Sequence, residues 1–211
     1  MKIALIGATG NIGKEIAREA LRRGHDVTAI VRKPANLQNE LPGIKIKVAD
    51  LFDAAGLREA IAGNDALASA YGPGAGDPAM LLQTTDALTA AAKTLTTRRL
   101  VVVGGAGSLE VAPGKQLVDS PNFPAAYKAV ALAHREVLSR LQQETDVKWT
   151  FFAPAALIGP GEKIGNYRVG RRSLIADASG NSRISYADYA DAFVNELERN
   201  AHLQEIATVA Y

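Results

Sequence analysis

Apolar and polar positions follow two periods that alternate along the chain. Short apolar runs such as KIALI at 2–6 and RLVVV at 99–103 have the length and β-branched content of strands buried on both faces. The segments between such runs carry apolar residues near helical spacing, the first of them with Ile12, Ile16 and Leu21. The pattern therefore predicts strands and helices that alternate over almost the whole chain.

Turn and capping residues set the limits of these elements. Gly24 can take the left-handed conformation that ends a helix, and Asp53 and Ser185 are N-cap residue types that precede helical segments. The predicted strands are 2–6, 26–31, 44–49, 66–70, 99–105, 148–154 and 205–211. The predicted helices start at 11, at Asp53 (ending at Ile61), at Asp77 with Pro78 as first helical residue (ending near Lys93), before Tyr127, and at Ser185.

Strands that alternate with helices are typical of a mostly parallel sheet, because parallel strands need crossover connections. We therefore predict an α/β fold with a doubly wound, mostly parallel sheet and helices on both faces, built as one domain over 1–211. Ligands of such sheets bind at the carboxyl ends of the strands, near the point where the strand order reverses. Candidate chemistry is therefore sought in the segments that follow the strands.

Two long segments, 105–123 and 159–183, are rich in Gly, Pro and Ser and are predicted to be substrate-side loops. The second contains Arg168, Arg171 and Arg172, which could bind an anionic acceptor. The alternative, a solvated cationic face, is favoured because three nearby arginines carry no geometric signature.

Composition narrows the function classes. The chain has 211 residues and 47% hydrophobic content, and its net charge of +2 comes from basic residues scattered among acidic ones. Nucleic-acid binding is disfavoured, because it needs a concentrated basic face. The chain contains no cysteine, and its three histidines, His25, His134 and His202, lie far apart. No metal site is therefore predicted.

No targeting or membrane segment is predicted. The N-terminal apolar run in MKIALIGATG is too short for a signal peptide, and no later segment approaches the length of a membrane span. The expectation is a cytoplasmic, soluble protein without membrane partners, a monomer or homodimer that acts on a small-molecule acceptor.

The first motif with chemistry is GATGNIG, directly after the first strand and at the start of the first helix. Gly7, Gly10 and Gly13 permit a tight turn, close approach of a pyrophosphate to the backbone, and close packing of helix on strand. The motif predicts dinucleotide binding, and its other cofactor contacts are expected from Thr9, Asn11 and Ile12. The alternative is a glycine-rich turn without a ligand.

The end of the second strand indicates which dinucleotide is bound. NAD enzymes usually carry an acidic residue there for the ribose hydroxyl, whereas this chain has Arg32 and Lys33. A guanidinium can pair with a 2′-phosphate, so NADPH is predicted over NADH; the alternative is a solvated loop pair. Asp50 and Leu51, after the third strand, are candidates for the adenine edge, and Asp50 could instead cap the next helix.

Five segments, KIALIGATGNIG, VTAIVRKP, VADLFD, RLVVVGGAGSL and RISYADYADAFVNELE, make the chain similar to the atypical short-chain dehydrogenases of the NmrA-like group. Within that group it resembles the small proteins labelled NAD(P)H-flavin reductases and, more distantly, biliverdin-IXβ reductase. The resemblance covers nearly the full chain. It implies a Rossmann fold, NADP or NAD binding, and hydride transfer to a flavin or another conjugated acceptor. Some members of the group only sense the redox state of the cofactor.

Three further segments are expected to surround the nicotinamide. Ala70, Tyr71 and Gly72 follow the fourth strand, where small residues let the backbone approach the ribose. Ser108 follows the fifth strand, where short-chain dehydrogenases often carry a serine that polarises a substrate carbonyl; its alternative is a loop-stabilising hydroxyl. Pro154 follows the sixth strand and could present backbone to the carboxamide.

Tyr127 and Lys128 lie side by side on a predicted helix. Short-chain dehydrogenases place a lysine four residues after the catalytic tyrosine, whereas Tyr127 is followed at that spacing by Ala131. Adjacent helical residues diverge by about 100°, so the two cannot act as that pair. Tyr127 and Ser108 are the candidate catalytic residues, and Lys128 is a candidate cofactor contact. Two hypotheses follow: an NADPH-dependent reductase of a flavin or similar acceptor, or a non-catalytic NAD(P) sensor that acts through a protein partner.

Overall fold

The computed structural model describes residues 1–33, 36–74 and 76–211, and strands alternate with helices through most of them. The strands are β1 (Lys2–Ile6), β2 (Asp26–Val31), β3 (Lys45–Val48), β4 (Ala66–Ser69), β5 (Arg99–Val103), β6 (Glu110–Ala112), β7 (Lys115–Gln116), β8 (Lys148–Ala153), β9 (Leu157–Gly159), β10 (Arg168–Gly170), β11 (Arg183–Ser185) and β12 (Glu205–Ala210). The helices are α1 (Asn11–Arg22), α2 (Ala54–Ile61), α3 (Met80–Ala92), α4 (Ala125–Gln142) and α5 (Tyr186–Arg199).

Eight strands form the central sheet in the order β10-β12-β8-β5-β4-β1-β2-β3. Every neighbouring pair is parallel except β10 with β12. The predicted fold class, a mostly parallel α/β sheet of the Rossmann type, is confirmed. The chain runs from β1 outward through β2 to β3 and then crosses to β4 on the other side of β1. The strand order therefore reverses between β1 and β4, and this is where a ligand of such a sheet is expected.

Helices cover both faces of the sheet. One core layer joins α1 and α5 to the sheet through residues such as Ile16, Phe152 and Phe193. The opposite layer packs α2, α3 and α4 on the sheet through residues such as Leu57 and Leu88. Among the helices of the described residues, none is long and apolar enough to cross a membrane.

The structure corrects several predicted boundaries. Helix α3 begins at Met80 rather than Pro78, because Met80 and Leu81 donate to carbonyl groups three residues back and so form a tighter turn before the helix. Segments 105–123 and 159–183, predicted as long loops, contain the short strands β6, β7 and β10, and also part of β9 and β11. These strands are two or three residues long, too short to show a hydrophobic period in the sequence.

Candidate functional site

The glycine turn joins β1 to α1 and is closed against β4. Gly7 has φ of +80°, and a Cβ atom on it would lie 2.5 Å from the carbonyl oxygen of Ala70. A Cβ atom on Gly13 would overlap the carbonyl group of Gly7. The amide of Gly10 donates to the Gly7 carbonyl oxygen at 3.0 Å. Gly7 is thus required for its positive φ, and Gly13 is required for the close packing of α1 on the turn.

The third glycine leaves space for a ligand. Gly10 is the N-cap of α1 with φ of −83°, and a Cβ atom on it would meet only the Gly7 carbonyl oxygen, at 3.5 Å. Among the described residues no side chain caps α1, and its first turn contains no acidic residue. Uncapped amides at a helix N-terminus attract an anion. The residues present therefore fit a pyrophosphate at this position.

A cleft of about 770 Å³ extends from this turn along the carboxyl ends of the strands. Its lining combines residues predicted as cofactor contacts with others that were not. The predicted ones are Gly7, Thr9, Gly10, Asn11, Ile12, Arg32, Lys33, Leu51, Ala70, Tyr71 and Gly72; the others are Ile6, Ala8, Ile30, Val31, Ala49, Gly74 and Tyr186. The described lining contains two cationic side chains and no carboxylate, which suits a ligand rich in phosphate.

The cationic end of the cleft follows β2. Arg32 and Lys33 are both exposed and line the cleft. After β3, Leu51 is buried and lines the cleft, whereas Asp50 is exposed and accepts a hydrogen bond from the amide of Phe52 at 2.9 Å. Asp50 does not line the cleft. It does not cap α2 either, because Asp53 accepts the amides at the start of that helix.

Four residues from the second half of the chain were predicted as catalytic residues or cofactor contacts, and none of them lines the cleft. Ser108 is 1% exposed, and it lines a separate cavity of about 110 Å³ with Gln116 and Arg172. Its hydroxyl group has no hydrogen-bond partner among the described residues. Tyr127, 65% exposed, and Lys128 project from the first turn of α4. Pro154 is buried after β8, also outside the cleft lining.

Packing of α4 explains this placement. A Cβ atom on Gly107 would lie 2.8 Å from the Cβ of Ala131, and one on Gly105 would lie 2.9 Å from the ring of His134. This face of α4 therefore packs tightly on the turn after β5 instead of facing the cleft. Ala131 occupies the position four residues after Tyr127 and is buried against Gly107, so a lysine there would lack space.

His134 is a partly buried group that the sequence pattern did not single out. Its ring packs edge-on against Phe151 with a centroid separation of 6.1 Å, and its Nδ1 has no partner among the described residues. Burial lowers the pKa of His134 to about 4, so its imidazole is neutral near pH 7. A neutral ring in this position supports the turn after β5 without adding charge.

Among the lining residues that sequence reasoning missed, Tyr186 lies farthest along the chain. It is the first residue of α5, half-buried, and the cleft's one described lining residue from beyond residue 74. A signal was present in the sequence: the predicted N-cap Ser185 accepts the amide of Asp188 at 3.0 Å, as a capping pair does. Since a helix between parallel strands begins at the carboxyl edge of the sheet, the residue after that cap was a candidate.

Asp188 fixes the start of α5. Its fully buried carboxylate accepts hydrogen bonds from four donors: the amides of Ile164 at 3.0 Å and Gly165 at 2.7 Å, and the hydroxyl groups of Tyr211 at 2.7 Å and Ser185 at 3.3 Å. Burial raises the pKa of a carboxyl group, but these hydrogen bonds outweigh it and hold the pKa of Asp188 below its usual value. The ionised carboxylate therefore joins the segment after β9 to the helix that carries Tyr186.

The three arginines of segment 159–183 have partners within the chain. Arg168 donates to the carbonyl oxygen of Ala176 at 2.9 Å, and Arg171 pairs with Glu205 at 2.6 Å. Arg172 lies 3.8 Å from Glu110. None of the three lines the main cleft.

Comparison with known proteins finds a family and relatives that cover nearly the whole chain. A family described as NAD(P)H-binding matches residues 7–200. The structure of a "putative exported protein" from Burkholderia pseudomallei is 53% identical with a TM-score of 0.94, and each chain is covered over 100% of its length. SP1627 from Streptococcus pneumoniae, named "a putative NADH-flavin reductase", is 36% identical with a TM-score of 0.89, over 100% of this chain and 99% of that one. The protein YwnB of Bacillus subtilis is 42% identical over 99% of this chain and 98% of its own length.

Proposed function

We propose, on the premise that the chain belongs to the NAD(P)H-binding family, that it is an NADPH-dependent oxidoreductase that reduces a flavin or another conjugated small molecule. The observation that carries the proposal is the charge pattern of the cleft. Its described lining holds an uncapped helix N-terminus, Arg32 and Lys33, and no carboxylate. The 36% identity to a protein named as a flavin reductase supports the choice of acceptor.

The residues of the chain would bind and orient the two reactants. The amides of Gly10, Asn11 and Ile12 would hold the pyrophosphate, and Arg32 would pair with the 2′-phosphate. NADPH would supply a hydride, and a conjugated acceptor that also takes a proton from water becomes reduced by two electrons. Such a reaction requires two rings held face to face and no tyrosine and lysine pair. The position of Tyr127 outside the cleft is compatible with this mechanism.

The proposal predicts NADPH oxidation that depends on flavin. Purified protein should oxidise NADPH when FMN or riboflavin is added and should act poorly on a panel of simple ketones, measured by absorbance at the nicotinamide band. The variant Tyr127→Phe should retain flavin reduction, because Tyr127 is exposed and does not line the cleft. Loss of all turnover in that variant would contradict the mechanism, as would a preference for ketones.

A separate prediction concerns cofactor choice. Arg32→Ala should raise the KM for NADPH about tenfold or more and change the KM for NADH by less than about threefold, because hydrogen bonds to charged groups are worth about 1.5–3 kcal/mol. The matched control is Arg18→Ala on α1, whose guanidinium pairs with Glu15 outside the cleft. Equal effects of Arg32→Ala on both cofactors would refute the pairing with a 2′-phosphate.

The second candidate is a non-catalytic NAD(P) sensor. It is favoured by one observation: neither Ser108 nor Tyr127, the proton donors expected for a short-chain dehydrogenase, reaches the cleft. A sensor would bind NADPH without oxidising it in the presence of any acceptor. Titration of oxidised and reduced cofactor, together with the flavin assay above, separates the two candidates.

A further inference from the structure

The hydroxyl groups of the six tyrosines divide into two sets. Three donate hydrogen bonds within the chain: Tyr167 to Asp191, Tyr189 to the carbonyl of Phe152, and Tyr211 to Asp188. Those of Tyr71, Tyr127 and Tyr186 make no hydrogen bond to the described residues. Tyr127 lies outside the cleft, whereas Tyr71 and Tyr186 are half-buried and line it. Two tyrosines whose hydroxyl groups make no hydrogen bond to the described residues therefore line the same cleft.

Tyr186 lies on the nicotinamide half of the cleft. In the sheet, β2 and β3 extend from β1 on the side of Arg32, which is the adenine half, and β4, β5 and β8 extend on the other side. Helix α5 packs over the second side, because the hydroxyl of Tyr189 donates to the Phe152 carbonyl of β8 at 2.6 Å and the two rings lie 5.5 Å apart. The first residue of α5 is thus placed beyond the carboxyl end of β8, on the side of β1 opposite the adenine half.

The surroundings of Tyr186 hold it in place. Ser185, the residue before Tyr186, caps the helix. Asp188, two residues after Tyr186, is buried and accepts hydrogen bonds from the backbone amides of Ile164 and Gly165. The backbone of Tyr186 is therefore held in place at the wall of the cleft. A rigidly held aromatic ring binds planar ligands at a low cost in conformational entropy.

We propose that Tyr186 is the residue that binds the acceptor: its ring forms the stacking surface for a planar, conjugated acceptor on the nicotinamide side. This inference rests on the proposed function, which supplies the acceptor class. Under this proposal Tyr186 selects planar acceptors, and its ring rather than its hydroxyl group makes the selection.

Flavin binding to the protein saturated with NADP⁺ tests the inference without turnover. Riboflavin fluorescence quenching should give a Kd that is about tenfold or more higher for Tyr186→Ala, since stacking on an aromatic side chain is worth about 1–3 kcal/mol. The matched variant Tyr186→Phe keeps the ring and should bind riboflavin within about twofold of the unaltered protein. Circular dichroism and thermal unfolding without cofactor should show that both variants are folded, and in Tyr186→Ala the loss of NADP⁺ affinity should be clearly smaller than the loss of riboflavin affinity.

Three results would overturn the inference. An unchanged riboflavin Kd in Tyr186→Ala would show that the ring does not contact the acceptor. Equal losses in Tyr186→Ala and Tyr186→Phe would assign the role to the hydroxyl group. An equal loss of NADP⁺ affinity would make Tyr186 a cofactor residue. Failure of the proposed function is distinct, because it would leave the unaltered protein without NADPH oxidation whatever the variants bind.

Discussion

An alanine in place of Gly10 is expected to weaken NADPH binding by about 100-fold or more and to leave the folded state almost as stable as before. The backbone of Gly10 has a negative φ that alanine can adopt, and a Cβ atom there meets no atom closer than 3.5 Å. Replacing glycine by alanine at an N-cap position costs about 1 kcal/mol of folding stability at most. The new methyl group, however, would enter the space at the N-terminus of α1 where a pyrophosphate would bind.

The size of the effect follows from the bonds that are lost. Displacing a pyrophosphate from the first turn of α1 removes two or more charge-assisted hydrogen bonds, each worth about 1.5–3 kcal/mol. Isothermal titration gives the NADPH affinity, and thermal unfolding without cofactor gives the stability. A folded Gly10→Ala protein that binds NADPH as the unaltered chain does would show that this turn does not hold the pyrophosphate.

Two other glycines serve as matched comparisons. Gly13→Ala should destabilise the fold itself, because its Cβ atom would overlap the backbone carbonyl of Gly7, which no side-chain movement can relieve. Gly24→Ala, at φ of +79° with no neighbouring atom within 4 Å, should cost about 1–2 kcal/mol and leave NADPH binding unchanged. A loss of NADPH affinity in Gly10→Ala and a loss of folding stability in Gly13→Ala would show that the glycine motif has both a binding role and a packing role.

The sequence was informative at several places where a local signal determines structure. The glycine turn, the cap at Asp53 and the cap at Ser185 depend on residues a few positions apart, and the structure has each of them. Arg32 and Lys33 follow directly from the end of β2, and the structure places both at the cleft. Much of the cleft lining from residues 1–74 is therefore readable from the sequence, because strand ends and the turns that follow them are contiguous in the chain.

The second half of the site depends on how helices rotate and pack. Whether α4 turns Tyr127 towards the cleft is decided by contacts of Ala131 with Gly107 and of His134 with Gly105, which join residues far apart in sequence. The same packing buries Ser108 in a separate cavity. Tyr186 reaches the cleft because α5 packs beside α1, a relation that no local pattern encodes. Capping residues predict where α5 starts, but they do not predict which elements α5 packs against.

Breaking the buried ion pair between Arg99 and Glu196 is expected to cost about 3–5 kcal/mol of folding stability. Both side chains are at most 4% exposed, and their nearest atoms lie 2.7 Å apart. Arg99 also donates to the Thr150 hydroxyl at 2.7 Å, and the amide of His202 donates to Glu196 at 3.1 Å. Burial lowers the pKa of Arg99 to about 10, against the opposing effect of Glu196, so the guanidinium stays charged near pH 7.

The single variants Arg99→Met and Glu196→Leu each leave one buried charge without its partner, and urea unfolding should show the full loss for both. The double variant removes both charges and should recover most of that loss, because two apolar side chains avoid the desolvation of an ion pair. A double variant as unstable as the sum of the singles would show that the surrounding hydrogen bonds, not the unpaired charge, carry the cost. Arg99 begins β5 at the amino edge of the sheet, opposite the cleft, so folded variants should keep their NADPH affinity. Substitutions at the amino edge of the sheet would then lower the free energy of unfolding without changing NADPH affinity, which depends on the carboxyl edge.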